Sequence, residues 1–240
     1  MKYLLVCDLD DTLTGNKKAI EKFNEVISNS NVHLVYSSGR FMKSMMSLIA
    51  SSGLIEPDII VANLGTEIYY GPDWIKDKKW EKSLKRQWQK EKIISILDHF
   101  DLKPQHFEKE LVVSYYTEDK KIVTELKQKI KQYKVKVVHT KNQFLDIIPK
   151  KAGKGNAAKY LGTKMSLPII CCGDSENDED MLIKSDYGVL VKNSSDDLKK
   201  KLEKIPHIHL ANYCYANGVL EGLRHKGIIP PKDKKRATEN

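Results

Sequence analysis

Apolar and polar positions along this chain follow two rhythms. Tyr3–Cys7, Val32–Tyr36, Ile59–Ala62 and Pro168–Cys172 are short, nearly unbroken apolar runs, the pattern of strands covered on both faces of a parallel sheet. Between the early runs, apolar residues recur every three or four positions. Ile20, Phe23 and Ile27 mark a helix over about 17–28, and Phe41, Met45, Leu48 and Ile49 mark another. The strand–helix succession predicts a parallel sheet with right-handed crossovers. Ile68-Tyr69-Tyr70 extends the third strand's segment, Gly188–Val191 and Ile208–Ala211 predict a fifth and sixth strand, and Gly218–Leu223 a short closing helix.

The rhythm changes after Gly71-Pro72. Trp80, Leu84, Trp88, Ile93 and Leu97 predict one long helix from 80 to 100. A strand follows at 111–116, paired with 105–108, then a helix carrying Ile122, Leu126 and Ile130, then strands at 135–139 and 143–148. This αββαββ order belongs to an α+β layer with an antiparallel sheet. The predicted organisation is α/β: a doubly wound, Rossmann-like core formed by 1–76 and 150–230, interrupted by a cap over 77–149. A flexible basic tail is expected at 231–240.

Composition narrows the class. The 240 residues are 40% hydrophobic and 30% charged, enough to bury a full core. No apolar stretch approaches the roughly 20 residues of a membrane span, and Met1-Lys2-Tyr3 enters a strand with no leader pattern. Cys7, Cys171 and Cys172 sit in apolar runs and Cys214 stands apart, so the cysteines read as reduced and the protein as cytoplasmic. The formal charge of +9 comes from scattered lysines, densest over 76–92 and 232–236. No nucleic-acid signature accompanies them, and small anionic ligands suit the excess better.

Three strand ends carry polar loops: Asp8-Leu9-Asp10-Asp11-Thr12, Ser37-Ser38-Gly39-Arg40, and Gly173 to Asp178. A lone lysine, Lys154, heads a helix between the second and the third. Any one alone reads as an ordinary helix cap. Together, at the edge where open α/β sheets place their chemistry, they match phosphoryl transfer. Crowded carboxylates need a cation, and hard oxygen ligands without His or Cys favour Mg²⁺, with Asp8, Asp10, Asp174 and Asp178 as the acidic set. Asp8 is the expected nucleophile. Asp10, two residues on, is the proton carrier. Ser38 and Lys154 steady the phosphoryl oxygens. Thr12, Gly39, Arg40 and Asn177 complete the expected substrate contacts, with Glu67, near the hinge, as a further candidate. In the inserted layer, Lys103, Gln105, Ser114, Asn142 and Gln143 are polar residues near the predicted strands. Trp80 and Trp88 read first as helix core. The DLDD run also spells the acid motif of large helical terpene cyclases, but its strand context excludes that reading.

The four stations resemble the haloacid dehalogenase superfamily. Its first motif DxDxT is Asp8 to Thr12, its second hydroxyl Ser38, its lysine Lys154, and its fourth motif GDSxND is Gly173 to Asp178. The insertion resembles the C2B type of cap. Gly53 to Asp58, Gly65 to Tyr69, Leu102 to Gln105 and Lys154 to Ala157 are similar to bacterial sucrose-phosphate phosphatases. Ser38 replaces the commoner Thr, and Asp11 stands where others carry Asn or Gly. The resemblance implies a Mg²⁺-dependent phosphatase of a small sugar phosphate, first of all sucrose 6-phosphate, with the cap choosing the substrate. It thereby makes Lys103, Gln105, Ser114, Asn142, Gln143 and, near the hinge, Glu67 candidates for contacts to sugar hydroxyls. Phosphates of mannosylfructose, mannosylglycerate or trehalose are alternatives within that class. A hexose phosphomutase, or a non-catalytic partner of the upstream glycosyltransferase, are alternatives outside it.

Overall fold

A computed structural model describes residues 1–105, 110–140 and 142–231. Its first strand, β1 (Tyr3–Cys7), is followed by α1 (Lys17–Ser28), β2 (Val32–Ser37), α2 (Met42–Ser52), β3 (Ile59–Ala62), β4 (Glu67–Tyr70) and β5 (Ile75–Lys76). The chain then builds a second layer: α3 (Lys78–Lys85), α4 (Lys90–Leu97), β6 (Lys103–Pro104), β7 (Val113–Tyr116), α5 (Lys120–Lys129), β8 (Val135–Thr140) and β9 (Phe144–Pro149). It returns through α6 (Lys154–Met165), β10 (Ile169–Gly173), α7 (Glu179–Lys184), β11 (Tyr187–Leu190), α8 (Asp196–Leu202), β12 (Ile208–Leu210) and α9 (Tyr215–His225).

The larger sheet runs β12-β11-β10-β1-β2-β3-β4-β5, parallel as far as β3, with β4 and β5 antiparallel at the edge. β1 lies between β2 and β10, with Cys7 level with both Tyr36 and Cys172, so the loops leaving these three strands emerge side by side. Leu5 and Cys7 face one apolar cluster, and Leu4 and Val6 face the other. Burial on both faces explains why the strand reads as a continuous apolar run. The smaller sheet, β6-β7-β9-β8, is antiparallel throughout.

The single helix predicted over 80–100 is two helices. Trp80 and Leu84 pack into the cluster beneath the large sheet, whereas Ile93 and Leu97 pack into the cluster beneath the small one. One straight helix cannot point a stripe at two separate cores, so the chain breaks between Arg86 and Gln89. Trp88 sits at the break, donating its indole N–H to the Glu110 carbonyl at 2.7 Å. Among the described residues Lys103–Pro104 pairs with β7, and the Gln105 N–H continues the pairing by donating to the Ser114 carbonyl at 2.9 Å; the rest of the expected 105–108 strand lies outside the described residues. Residues 106–109 lie outside the described residues, as do 232–240 of the expected tail.

Two crossings join the layers. At the first, Asp77 caps α3 through the Trp80 N–H and also accepts from Tyr70, Tyr160 and Lys164 at 2.9–3.0 Å. At the second, Gly65 and Gly153 meet backbone to backbone. A Cβ on Gly65 would lie 2.5 Å from the Gly153 carbonyl, and both residues have positive φ. Cys7, Cys171, Cys172 and Cys214 carry free thiols. Among the described residues no helix is long and apolar enough to cross a membrane.

Candidate active site

The acidic turn is held from below by its own apolar residues: Leu9 and Leu13 are fully buried, anchoring the loop between them. Asp11 turns the chain with a left-handed φ of 59°, and its carbonyl accepts from Asn193 at 2.6 Å. This leaves Asp8 pointing into the sheet edge. Lys154 reaches it from the first turn of α6, with Nζ 2.5 Å from Asp8 Oδ1, 2.7 Å from Asp178 Oδ1 and 2.9 Å from Asn177 Oδ1. Lys154 is 2% exposed and Asp178 is not exposed at all.

The fourth loop is built around Asp178. Its Oδ2 accepts from the backbone N–H groups of Asp174 and Ser175 and from the Ser175 hydroxyl, each at 3.2 Å. Gly173 permits this wrap, since a Cβ there would stand 2.4 Å from that of Asp178. Asp174 accepts from the buried Thr12 hydroxyl at 2.9 Å, which joins the first loop to the fourth.

Asp8, Asp174 and Asp178 present carboxylate oxygens within 4.8 Å of one another. Three buried carboxylates face one ammonium, an excess equal to the charge of one divalent cation. The strain shows in their acidity. Burial, and next the charge of Asp178, push the Asp174 carboxyl up to about 7, against the pull of Thr12. Burial likewise raises Asp8 well above the usual carboxylate range; Lys154 opposes the shift, while Asp178 and Asp174 add to it. For Lys154 burial pulls downward, but Asp178 and Asp8 outweigh it and the ammonium stays charged. An all-oxygen set with surplus negative charge fits Mg²⁺.

This arrangement fixes a pH dependence. A carboxyl whose pKa rises on folding binds more protons in the native state, so its stabilising contribution is present at low pH. It is lost as pH climbs through the folded value, here about 7 for Asp174. In the chelator-treated protein, melting temperature should fall between pH 5 and pH 8, and excess Mg²⁺ should flatten that fall. A chelated protein that gains stability over the same interval would contradict the reading. Differential scanning fluorimetry across the pH series measures it.

Ser38, 2% exposed, accepts the Arg40 N–H on its hydroxyl at 3.2 Å. Arg40 turns its guanidinium onto Asp10 as a two-pronged pair, Nε to Oδ2 at 2.7 Å and Nη2 to Oδ1 at 2.8 Å. The Asp10 carboxylate therefore lies on Arg40, outside the Asp8–Asp174–Asp178 group to which the sequence reading assigned it as a metal ligand. A cavity of about 420 Å³ opens above these residues. Asp8, Asp10, Ser38, Gly39, Arg40, Asp174 and Asn177 line its floor.

From the cap, Gln105, Tyr116, Thr140, Phe144 and Asp146 close the cavity. Of the five cap candidates, only Gln105 is among these lining residues. Ser114 is buried beside Asp146 on the same sheet face, donating to it at 2.5 Å. Lys103, Asn142 and Gln143 are not among the lining residues. Glu67 is not among them either; its oxygens are taken by Asn63 at 2.6 Å and Lys76 at 2.8 Å. Sequence reasoning missed Tyr116, Phe144, Thr140 and Asp146. The alternation in β7 and β9 could have placed Tyr116, Phe144 and Asp146 on one face, but nothing marked that face as the one turned to the core.

The sheet order and the inserted second sheet give the chain a haloacid dehalogenase-like fold, shared with a haloacid dehalogenase-like hydrolase protein of Bacillus subtilis at a TM-score of 0.70 and 22% identity. A family model for sucrose-6F-phosphate phosphohydrolase matches residues 1–227, and the chain belongs to that family. A probable sucrose-phosphatase of Arabidopsis thaliana is 30% identical over 261 residues, 96% of this chain; the chain spans 62% of that protein's length. The mannosylfructose-phosphate phosphatase of Agrobacterium fabrum is 25% identical, covering 95% of this chain and 98% of its own. The crystal structure of Synechocystis sucrose-phosphatase with sucrose and phosphate superposes with a TM-score of 0.89 at 29% identity, covering 95% of this chain and 99% of the other.

Proposed function

We propose that this protein is a Mg²⁺-dependent phosphatase that hydrolyses sucrose 6-phosphate to sucrose and phosphate. The observation that carries the reading is Asp8, bonded to Lys154 and grouped with Asp174 and Asp178, at the floor of a cavity roofed by the cap. Family membership over 1–227 and the likeness to the Synechocystis enzyme along both chains support the choice of sugar.

Asp8, Asp174 and Asp178 would hold Mg²⁺, which when bound offsets the charge of carboxylates and phosphate in one pocket. An Asp8 carboxylate oxygen attacks phosphorus in line. The O–P bond to Asp8 forms as the P–O bond to the sugar breaks. Asp10, protonated once it turns away from Arg40, gives that proton to the leaving oxygen, then takes one from the water that attacks the phosphoryl group and frees Asp8. Lys154, Ser38 and the Ser38–Arg40 backbone steady the phosphoryl oxygens. Arg40 holds Asp10 in the free enzyme. An arriving phosphate ester gives the guanidinium a second acceptor and turns an Asp10 oxygen toward the leaving group. Tyr116 and Phe144 offer apolar faces for a sugar ring, and Gln105, Thr140 and Asp146 offer partners for its hydroxyls.

A phosphate-release screen tests this. Sucrose 6-phosphate should turn over fastest among sucrose, mannosylfructose, mannosylglycerate, trehalose and hexose phosphates, and EDTA should abolish the reaction. Faster release from mannosylfructose phosphate would reassign the sugar. Isomerised sugar phosphate without free phosphate would point instead to a mutase.

A further inference from the structure

Glu67 does not line the cavity, yet its carboxylate sits at the centre of a bonded path between the cap and the phosphate loop. Between β3 and β4 the chain makes a tight reversal, with Asn63 and Leu64 both left-handed at φ 49° and 55°. L-residues rarely adopt that conformation, and two in succession need external support. The Thr66 hydroxyl gives some, donating to the Asn63 carbonyl at 2.9 Å. Glu67 gives the rest, accepting the Asn63 side-chain N–H on Oε2 at 2.6 Å.

The strained pair has a definite use. Its two N–H groups point at the second motif: Asn63 N donates to the Arg40 carbonyl at 2.8 Å and Leu64 N to the Ser38 carbonyl at 3.1 Å. The Leu64 side chain also covers Gly39, 3.3 Å from where a Cβ would stand. The loop expected to grip the phosphoryl group is thus clamped at both ends by a turn that Glu67 stabilises. Glu67 Oε1 continues outward to Lys76 Nζ at 2.8 Å, and Lys76 bonds Glu81 of α3, the first helix of the cap, at 3.0 Å. The three side chains are only 11–22% exposed, where ion pairs are less screened than on an open surface. Burial works against the Lys76 charge, but Glu67 and Glu81 more than restore it.

We infer that Glu67 is a positioning residue that couples the cap's first helix to the Ser38–Arg40 loop, and not a sugar contact. It acts through Asn63 and Leu64 and touches no reacting atom. The inference rests on the phosphatase reading for the role given to Ser38, so its test includes an arm that needs no turnover.

That arm is calorimetric titration of inorganic phosphate into the Mg²⁺-loaded protein, for wild type, Glu67→Ala and Lys76→Met. Both variants should bind phosphate more weakly, by up to about 100-fold, the scale on which a misplaced group loses its effect. Both should lose the same factor in kcat/KM on sucrose 6-phosphate and on para-nitrophenyl phosphate, with melting temperatures within a few degrees of wild type. A loss confined to the sugar ester would overturn the inference and restore Glu67 as a sugar contact. A lowered melting temperature with phosphate affinity unchanged would also overturn it, leaving a purely structural role. Lys76→Met, which cuts the path at its outer end, decides the question if Glu67→Ala does not fold. If wild type releases no phosphate from any ester, the phosphatase reading fails, while the phosphate titration still decides the role of Glu67.

Discussion

Asp8→Asn should lower turnover of sucrose 6-phosphate by at least about 10⁴-fold, the scale seen when a covalent nucleophile is removed, while the protein stays folded. The carboxamide keeps the shape of the side chain and an oxygen for Lys154, but it is no nucleophile toward phosphorus. Stability should hold or rise, because one of three mutually repelling buried carboxylates disappears. Substrate binding should survive, since Ser38, Arg40 and the cap wall are untouched. Steady-state kinetics and a melting curve on the same sample give both halves of the result. Residual activity within tenfold of wild type would remove Asp8 from the reaction.

The second large effect concerns stability. Lys154→Met keeps the aliphatic stem and deletes the ammonium that bonds Asp8, Asp178 and Asn177. Breaking a buried ion pair by removing one partner costs about 3–5 kcal/mol, because the remaining charge is left uncompensated. Here two carboxylates are left facing each other, both nearly free of solvent. Urea unfolding with chelator present should show a loss in that range. The loss should grow as pH rises, since the orphaned carboxylates then ionise, and excess Mg²⁺ should recover part of it. A destabilisation below about 1 kcal/mol, outside that range, would mean that the ammonium is not what holds the acidic groups together. Turnover should fall as well, because Lys154 stands where the phosphoryl charge must be balanced.

Much of the core was legible in the sequence because its signals are local. A doubly covered strand writes itself as an apolar run, and the residues that carry the chemistry sit in the next few positions, as with Cys7 and Asp8 or Gly173 and Asp174. That they pair in parallel follows from the helices between them. What was not legible depends on partners far along the chain. The 80–100 stripe looks uniform, and only the existence of two separate cores explains why it breaks at Trp88. Asp10 and Arg40 are 30 residues apart, and nothing in either loop announces their two-pronged pairing. Asp77 reads as one more acid in a lysine-rich stretch, yet it ties α3 to Tyr160 and Lys164 of α6, the helix that begins with Lys154. The cap wall was the least legible part. Tyr116, Phe144 and Asp146 gain their role from which face of the small sheet turns toward the core, a choice made by the two crossings and not by the strands themselves.

Attack by Asp8 on phosphorus, with Asp10 as the separate proton carrier, is the centre of this account, and trapping the intermediate tests it most directly. Asp10→Asn should still react with para-nitrophenyl phosphate, whose leaving group needs no proton, but should release the phosphoryl group slowly for want of a base. Acid-quenched and digested during turnover with Mg²⁺, that variant should carry a phosphoryl group on Asp8 in the peptide that begins the chain. Phosphate release at the wild-type rate with Asp8 unmodified, or a phosphoryl group on any other residue, would contradict it.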